Sequence, residues 1–241
     1  MPSVSEKSFG QRYTKAVGLV EYLKLVPAYQ PDNADIEVAA FDAFLSTVQT
    51  ANETVASKQS ALMNERESRL LLYKGPEGLI KLCSRVRDYV ASIDPKGKNS
   101  PDYKKISKTI MRMRGQRLKK KPDPPATPPV EGGTEPKKVS VSEQSYGSVL
   151  EMGVSVVEVV KAKAGYAPSN AALTVASLTA FMDSVYAKNR SVLSKQEDYD
   201  NAVEARANLY TDLKRRVTQI KAALASQYGK QSNEYKDSLK Y

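Results

Sequence analysis

Apolar residues return every three or four positions near the start of the chain, at Phe9, Tyr13, Val17, Val20 and Leu23. This is the spacing of one face of an α-helix. It predicts a helix from Glu6 to Val26, closed by Pro27, which lacks the N–H a continuing helix needs. After a turn through Tyr29 and Pro31 comes Asn33, whose side-chain oxygen can cap a following helix. From Asn33 to Tyr73 there is no Gly or Pro, so the reading is one helix of roughly 60 Å. Its stripe runs Ile36, Ala40, Phe44, Val48, Asn52, Val55, Gln59 and Leu62. A third helix is expected over Glu77–Ile93, with Leu79, Leu82, Val86 and Ile93 on one face. Gly97 then ends it, and Ser100-Pro101-Asp102 opens a short further helix, a C-cap followed by an N-cap.

The pattern is written twice. Residues 3–73 align without a gap onto residues 140–210 at a constant offset of 137, and more than a third of the positions are identical. Ser5–Gly10 recurs at Ser142–Gly147, Tyr29–Ala34 at Tyr166–Ala171, and Val55–Gln59 at Val192–Gln196. Near the third helix the offset falls to 131, because Lys74-Gly75-Pro76-Glu77-Gly78 has no full counterpart. The second copy therefore has either a tight bend there or an unbroken helix. Residues 122–139 hold Pro122, Pro124, Pro125, Pro128, Pro129 and Pro136, the composition of an extended linker. The expected architecture is all-α. A helical unit over 1–111 and a homologous one over 140–241, three helices each, form bundles joined by a basic, Pro-rich linker at 112–139.

In the second copy the stripe reads Leu173, Ser177, Phe181, Val185, Asn189, Val192, Gln196 and Tyr199. Polar residues thus recur on the apolar face at Asn52, Gln59, Asn189 and Gln196. Two readings fit them: a polar ligand site inside the bundle, or groups that set helix register by hydrogen bonding across the seam, as in coiled coils. The second is preferred.

Composition narrows the chemistry. The chain has no histidine and one cysteine, Cys83. Ser-His-Asp and Cys-His arrangements, zinc fingers and HExxH sites are excluded, as is an intramolecular disulfide. No phosphate-binding glycine motif is present, and no apolar run approaches the roughly 20 residues of a membrane span. A cytoplasmic protein is expected, with no cofactor, no metal and no catalytic residue.

The net charge of +10 is uneven. Residues 1–101 carry 13 basic and 12 acidic groups, and residues 142–241 carry 13 and 11. Residues 102–121 hold nine cations against one acid: Lys104, Lys105, Lys108, Arg112, Arg114, Arg117, Lys119, Lys120 and Lys121. Such a segment can bind a polyanion through its phosphates, or simply keep a linker solvated.

Gly78 to Val90, Ser100 to Ser107, the Tyr-x-Pro-x-Asn-Ala turn and the basic Pro-rich stretch together resemble uncharacterised tandem helical-repeat proteins of Bacteroidota. The resemblance implies a cytoplasmic tandem bundle and brings no activity or site residue. The leading expectation is a non-enzymatic, scaffold-like interaction protein with a protein partner or self-association. The alternative is a nucleic-acid- or ribosome-associated protein anchored by residues 102–121.

Overall fold

The computed structural model describes residues 4–26, 28–115 and 145–241, with side chains from Phe9 onward. Every regular element among them is helical, with no strand. In chain order these are α1 (Val4–Lys24), α2 (Val38–Lys74), α3 (Leu79–Ile93), α4 (Pro101–Met113), α5 (Tyr146–Lys161), α6 (Val175–Tyr228) and α7 (Asn233–Ser238).

Local chemistry sets the boundaries. Asn33 and Asn170 act as caps, but of short 3₁₀ turns (Ala34–Ile36 and Ala171–Leu173) that precede the long helices. Each turn is tied down from behind: the Tyr29 hydroxyl donates to the Ile36 carbonyl at 3.0 Å, and Tyr166 to Leu173 at 2.8 Å. Ser100 Oγ accepts from the Tyr103 N–H at the start of α4, and Ser232 Oγ from Tyr235 at the start of α7. The glycine-containing break after Lys74 separates α2 from α3. Without that break, the corresponding stretch of the second half runs straight through, and α6 reaches 54 residues.

The helices gather into two compact units that do not follow the halves of the sequence. A terminal unit comprises Met1–Leu62 with Lys195–Tyr241, and a central unit comprises Met63–Ser194. Residues 38–62 of α2 lie in the terminal unit and 63–74 in the central one, while α6 gives 175–194 to the central unit and 195–228 to the terminal one. The boundaries expected at 111 and 140 therefore do not separate the units, since each half of the chain supplies helices to both. Length explains this. At 37 residues α2 is about 55 Å long against about 30 Å for the 21 residues of α1. One short helix cannot cover such a stripe, so its second part is packed by a different set.

The terminal core joins Leu19, Val20 and Leu23 of α1 to Phe41, Leu45 and Val48 of α2 and to Leu213, Ile220 and Leu224 of α6. The central core joins Leu79, Val86 and Val90 of α3, Ile106 and Ile110 of α4, Val157 and Val160 of α5, and Leu178 and Val185 of α6. Burying each such side chain stabilises the fold by about 1.5–3 kcal/mol. Close packing shows at Gly153, where an added Cβ would lie 2.8 Å from Leu79 Cδ1 and 3.1 Å from Met182 Sδ.

The expected stripes are displaced in detail. Ala16 and Leu19 are buried where Val17 was expected, and Phe41 and Leu45 lie deeper than Ala40 and Phe44. Leu178 and Met182 do the same in α6. A helix enclosed by several neighbours buries a wider arc than the single row used to find it.

Candidate functional site

Each unit contains the same polar cluster. In the terminal unit Asn52 Nδ2 donates to the Tyr210 hydroxyl at 3.0 Å, and that hydroxyl faces Asn52 Oδ1 at 3.5 Å. The Phe9 ring lies against Tyr210 with centroids 4.5 Å apart, and the Arg206 guanidinium sits 5.0 Å from the Phe9 centroid. In the central unit Asn189 Nδ2 donates to the Tyr73 hydroxyl at 2.8 Å. Tyr73 in turn donates to the Tyr146 carbonyl at 2.7 Å. Its ring meets Tyr146 edge-on at 4.8 Å, and Arg69 covers Tyr146 at 3.8 Å. Asn52 and Asn189, Tyr73 and Tyr210, Arg69 and Arg206, and Phe9 and Tyr146 all stand 137 residues apart.

What these groups can do is largely structural. A hydroxyl bonded to an amide on a neighbouring helix fixes both rotation and axial register, because a slide of one residue breaks it. Burial raises the Tyr73 pKa above the usual tyrosine value, with the Asn189 bond and Arg69 working in the opposite direction. The hydroxyl therefore stays protonated and acts as a donor at neutral pH. Cys83, the sole thiol, is 1% exposed, and burial pushes it up to about 12. At neutral pH it is a buried, protonated thiol. Among the described residues no group of His, Cys, Asp and Glu has the arrangement of a metal site.

The four polar residues expected on the seam part company. Asn52 and Asn189 face the packed tyrosines. Gln196 Nε2 bonds Asp200 Oδ1 at 2.8 Å on its own helix. Gln59 is exposed, contrary to the expectation. Helix α1 covers α2 at the level of Asn52. It runs antiparallel to α2, with Lys24 pairing Asp42 at 3.4 Å, Tyr13 bonding Gln49 at 3.0 Å, and Phe9 packing at the level of Asn52 through Tyr210. Gln59 lies two turns further on.

The basic residues divide as well. Arg117, Lys119, Lys120 and Lys121 lie outside the described residues. Lys104, Lys105, Lys108 and Arg112 lie on α4 and Arg114 caps it, all five exposed. Helix α4 is not linker, because Ile106, Ile110 and Met113 are 0%, 1% and 4% exposed in the central core. At about 100° per residue, Lys104, Lys105, Lys108 and Arg112 fall within one arc opposite those three. Arg114 turns aside, its guanidinium donating to Ser84 Oγ at 2.9 Å.

One ion-pair cluster escaped the sequence reading. Lys163, just after α5, bonds Asp94 at 2.8 Å and Asp102 at 3.0 Å, with Lys163 and Asp94 only 11% and 13% exposed. The Lys163 bond holds the Asp94 carboxyl below its ordinary range, and the two carboxylates raise Lys163. The partners lie 61 and 69 residues away, so no local spacing signals them. The tyrosines and arginines of the polar clusters, by contrast, were visible as identities at the same offset as the asparagines. No described helix is long and apolar enough to cross a membrane. No family model, curated protein or solved structure matches the chain.

Proposed function

We propose that the protein is a non-enzymatic structural and interaction protein, made from a duplicated helical unit whose two copies are interlocked and joined through the basic, Pro-rich stretch. The observation that carries this reading is the reciprocal pair of polar clusters. Asn52 of the first half meets Tyr210 of the second, and Asn189 of the second meets Tyr73 of the first. Recurrence of Tyr29 with Tyr166 and of Asn33 with Asn170 in the same local roles supports common descent of the halves. The polar side chains that recur are engaged in holding helices, which is the part a scaffold needs. Its partners are other proteins or a second copy of the chain.

The interlock has a direct test. A protease site is placed between Pro129 and Pro136 of the full-length chain, and the cut and uncut proteins are compared by gel filtration and thermal unfolding. The expected outcome is that the two fragments stay together after cutting and keep most of the helical signal. Elution as two separate, folded fragments would overturn the reading.

A further inference from the structure

We propose that the outer face of α4 is a binding surface for the phosphate backbone of a nucleic acid, read without regard to base sequence. The face is built of Lys104, Lys105, Lys108 and Arg112, all exposed and all on the arc turned away from the central core. No acid shares that arc. The nearest, Asp102, is turned aside and bonded to Lys163. Several surface cations of the two units sit beside carboxylates, among them Arg85 with Glu77, Arg87 with Asp88, Arg215 and Arg216 with Asp212, and Lys240 with Asp237. Lys104, Lys105 and Lys108 take part in no ion pair among the described residues.

Cations four apart on a helix repel one another, as Lys104 and Lys108 do, and the same exposed series continues to Arg112 one turn on. The fold gains nothing from that repulsion. A polyanion relieves it. The series rises about 12 Å along the helix axis, a length along which one strand of a duplex presents about three to four phosphates.

The same geometry chooses between polyanions. An amphipathic helix that lies on an anionic membrane must offer its apolar face to the lipid, and here Ile106, Ile110 and Met113 are already committed to the core. The neighbouring aromatic, Tyr103, is partly buried against the core with the Arg87 guanidinium 5.7 Å from its ring. It offers no free face for base stacking, so the contacts are to phosphate. This proposal does not rest on the interlock, since the lysines lie on the exposed face of α4 whichever helices cover its apolar face.

The test uses the full-length protein and a fluorescently labelled 20-base-pair DNA duplex, titrated between 50 and 200 mM salt. Three variants are compared: Lys104, Lys105 and Lys108 all to Gln; the same three to Arg; and Lys119, Lys120 and Lys121 to Gln. Loss of three phosphate contacts flattens the slope of log affinity against log salt by about 2.7 and weakens binding at 50 mM salt by at least about tenfold. That result is expected for the α4 Gln variant and not for the Arg variant, with helix content unchanged in both. The proposal is overturned if the wild-type chain leaves the duplex unbound at 50 mM salt, or if the α4 Gln variant binds with an unaltered slope. It is overturned equally if only the 119–121 variant loses binding, or if anionic vesicles or polyglutamate bind as tightly as the duplex.

Discussion

The terminal and central units open their closing helices in the same way and then diverge. A serine caps each one, Ser100 for α4 and Ser232 for α7, and a tyrosine three residues later packs against the core. Helix α7 stops after 6 residues and leaves Leu239 at 52% exposure. Helix α4 runs for 13 and sinks Ile106, Ile110 and Met113 into the central core. A closing helix of this fold can therefore be short. The added length of α4 does two further jobs, enlarging the central core and carrying a row of cations that α7, with Glu234, Lys236 and Asp237, does not reproduce.

If that difference is energetic as well as geometric, the largest effect comes from truncating its buried part. Ile110→Ala should destabilise the protein by about 2–5 kcal/mol, the range for a large aliphatic side chain removed from a core. Leu239→Ala should change stability by less than about 0.5 kcal/mol, as expected for an exposed position. Urea denaturation of both variants measures this, and comparable losses would mean that α7 closes its unit as firmly as α4 does.

The polar clusters sharpen the comparison next. In Asn52→Leu the hydroxyl of Tyr210, a residue 2% exposed, loses its amide partner. Stranding a buried hydroxyl costs about 1–3 kcal/mol. In Asn189→Leu the Tyr73 hydroxyl still donates to the Tyr146 carbonyl, and the buried, unpartnered Asn189 Oδ1 is removed. The expected loss is below about 1 kcal/mol. Equal losses would show that the two clusters are energetically interchangeable despite their different wiring.

The Lys163 bridge is a feature of the central unit, and at the corresponding place in the first half stands Val26. Asp94 is depressed and Lys163 raised. The bridge therefore contributes above the unfolded carboxylate pKa and below the unfolded lysine pKa. It fades as pH falls through the folded Asp94 value or rises through the folded Lys163 value. Lys163→Met should lower the unfolding midpoint at pH 7 and bring it closer to wild type at strongly acid pH. A pH-independent difference would assign the effect to lost packing instead.

The smallest contrast is expected where the units agree. Burial pushes both Tyr29 and Tyr166 up to about 12. Each binds its proton more tightly in the folded state, so the contribution is complete below pH 10 and falls between about 10 and 12. Tyr29→Phe and Tyr166→Phe should each flatten the alkaline loss of stability by a similar amount, read from denaturation at pH 9 and pH 11.5. A large difference between the two would break the likeness of the turns.

The helices were legible because their signals are local: capping asparagines and serines, period-3.6 stripes, and the glycine break after Lys74. The sequence left open a bend or an unbroken helix in the second half, and α6 shows the unbroken form. Asn52 and Asn189 could be singled out because a polar residue on an apolar stripe is conspicuous. Their partners Tyr210 and Tyr73 could not be paired with them, because the contacts join residues 158 and 116 positions apart. The assignment of helices to units was hidden for the same reason. An alignment of halves states which segments are alike, whereas the packing depends on which segments a helix of about 55 Å meets along its length. Gln59 shows the limit of periodicity: it repeats the spacing of Asn52 on the same stripe and is nevertheless exposed.

A ribosome completes these units in the reverse of the order in which it begins them. The central unit is one continuous stretch, Met63–Ser194, and its core can close once that stretch has emerged. The terminal unit holds α1, made before any of the central unit, yet needs Lys195–Tyr241. At 5–20 residues per second, α1 and the start of α2 wait roughly 10–35 s for the helices that cover them. During that interval Leu19, Leu23, Phe41 and Leu45 stand without their α6 partners. The central unit can therefore close while α1 and the start of α2 still await the α6 residues that cover them.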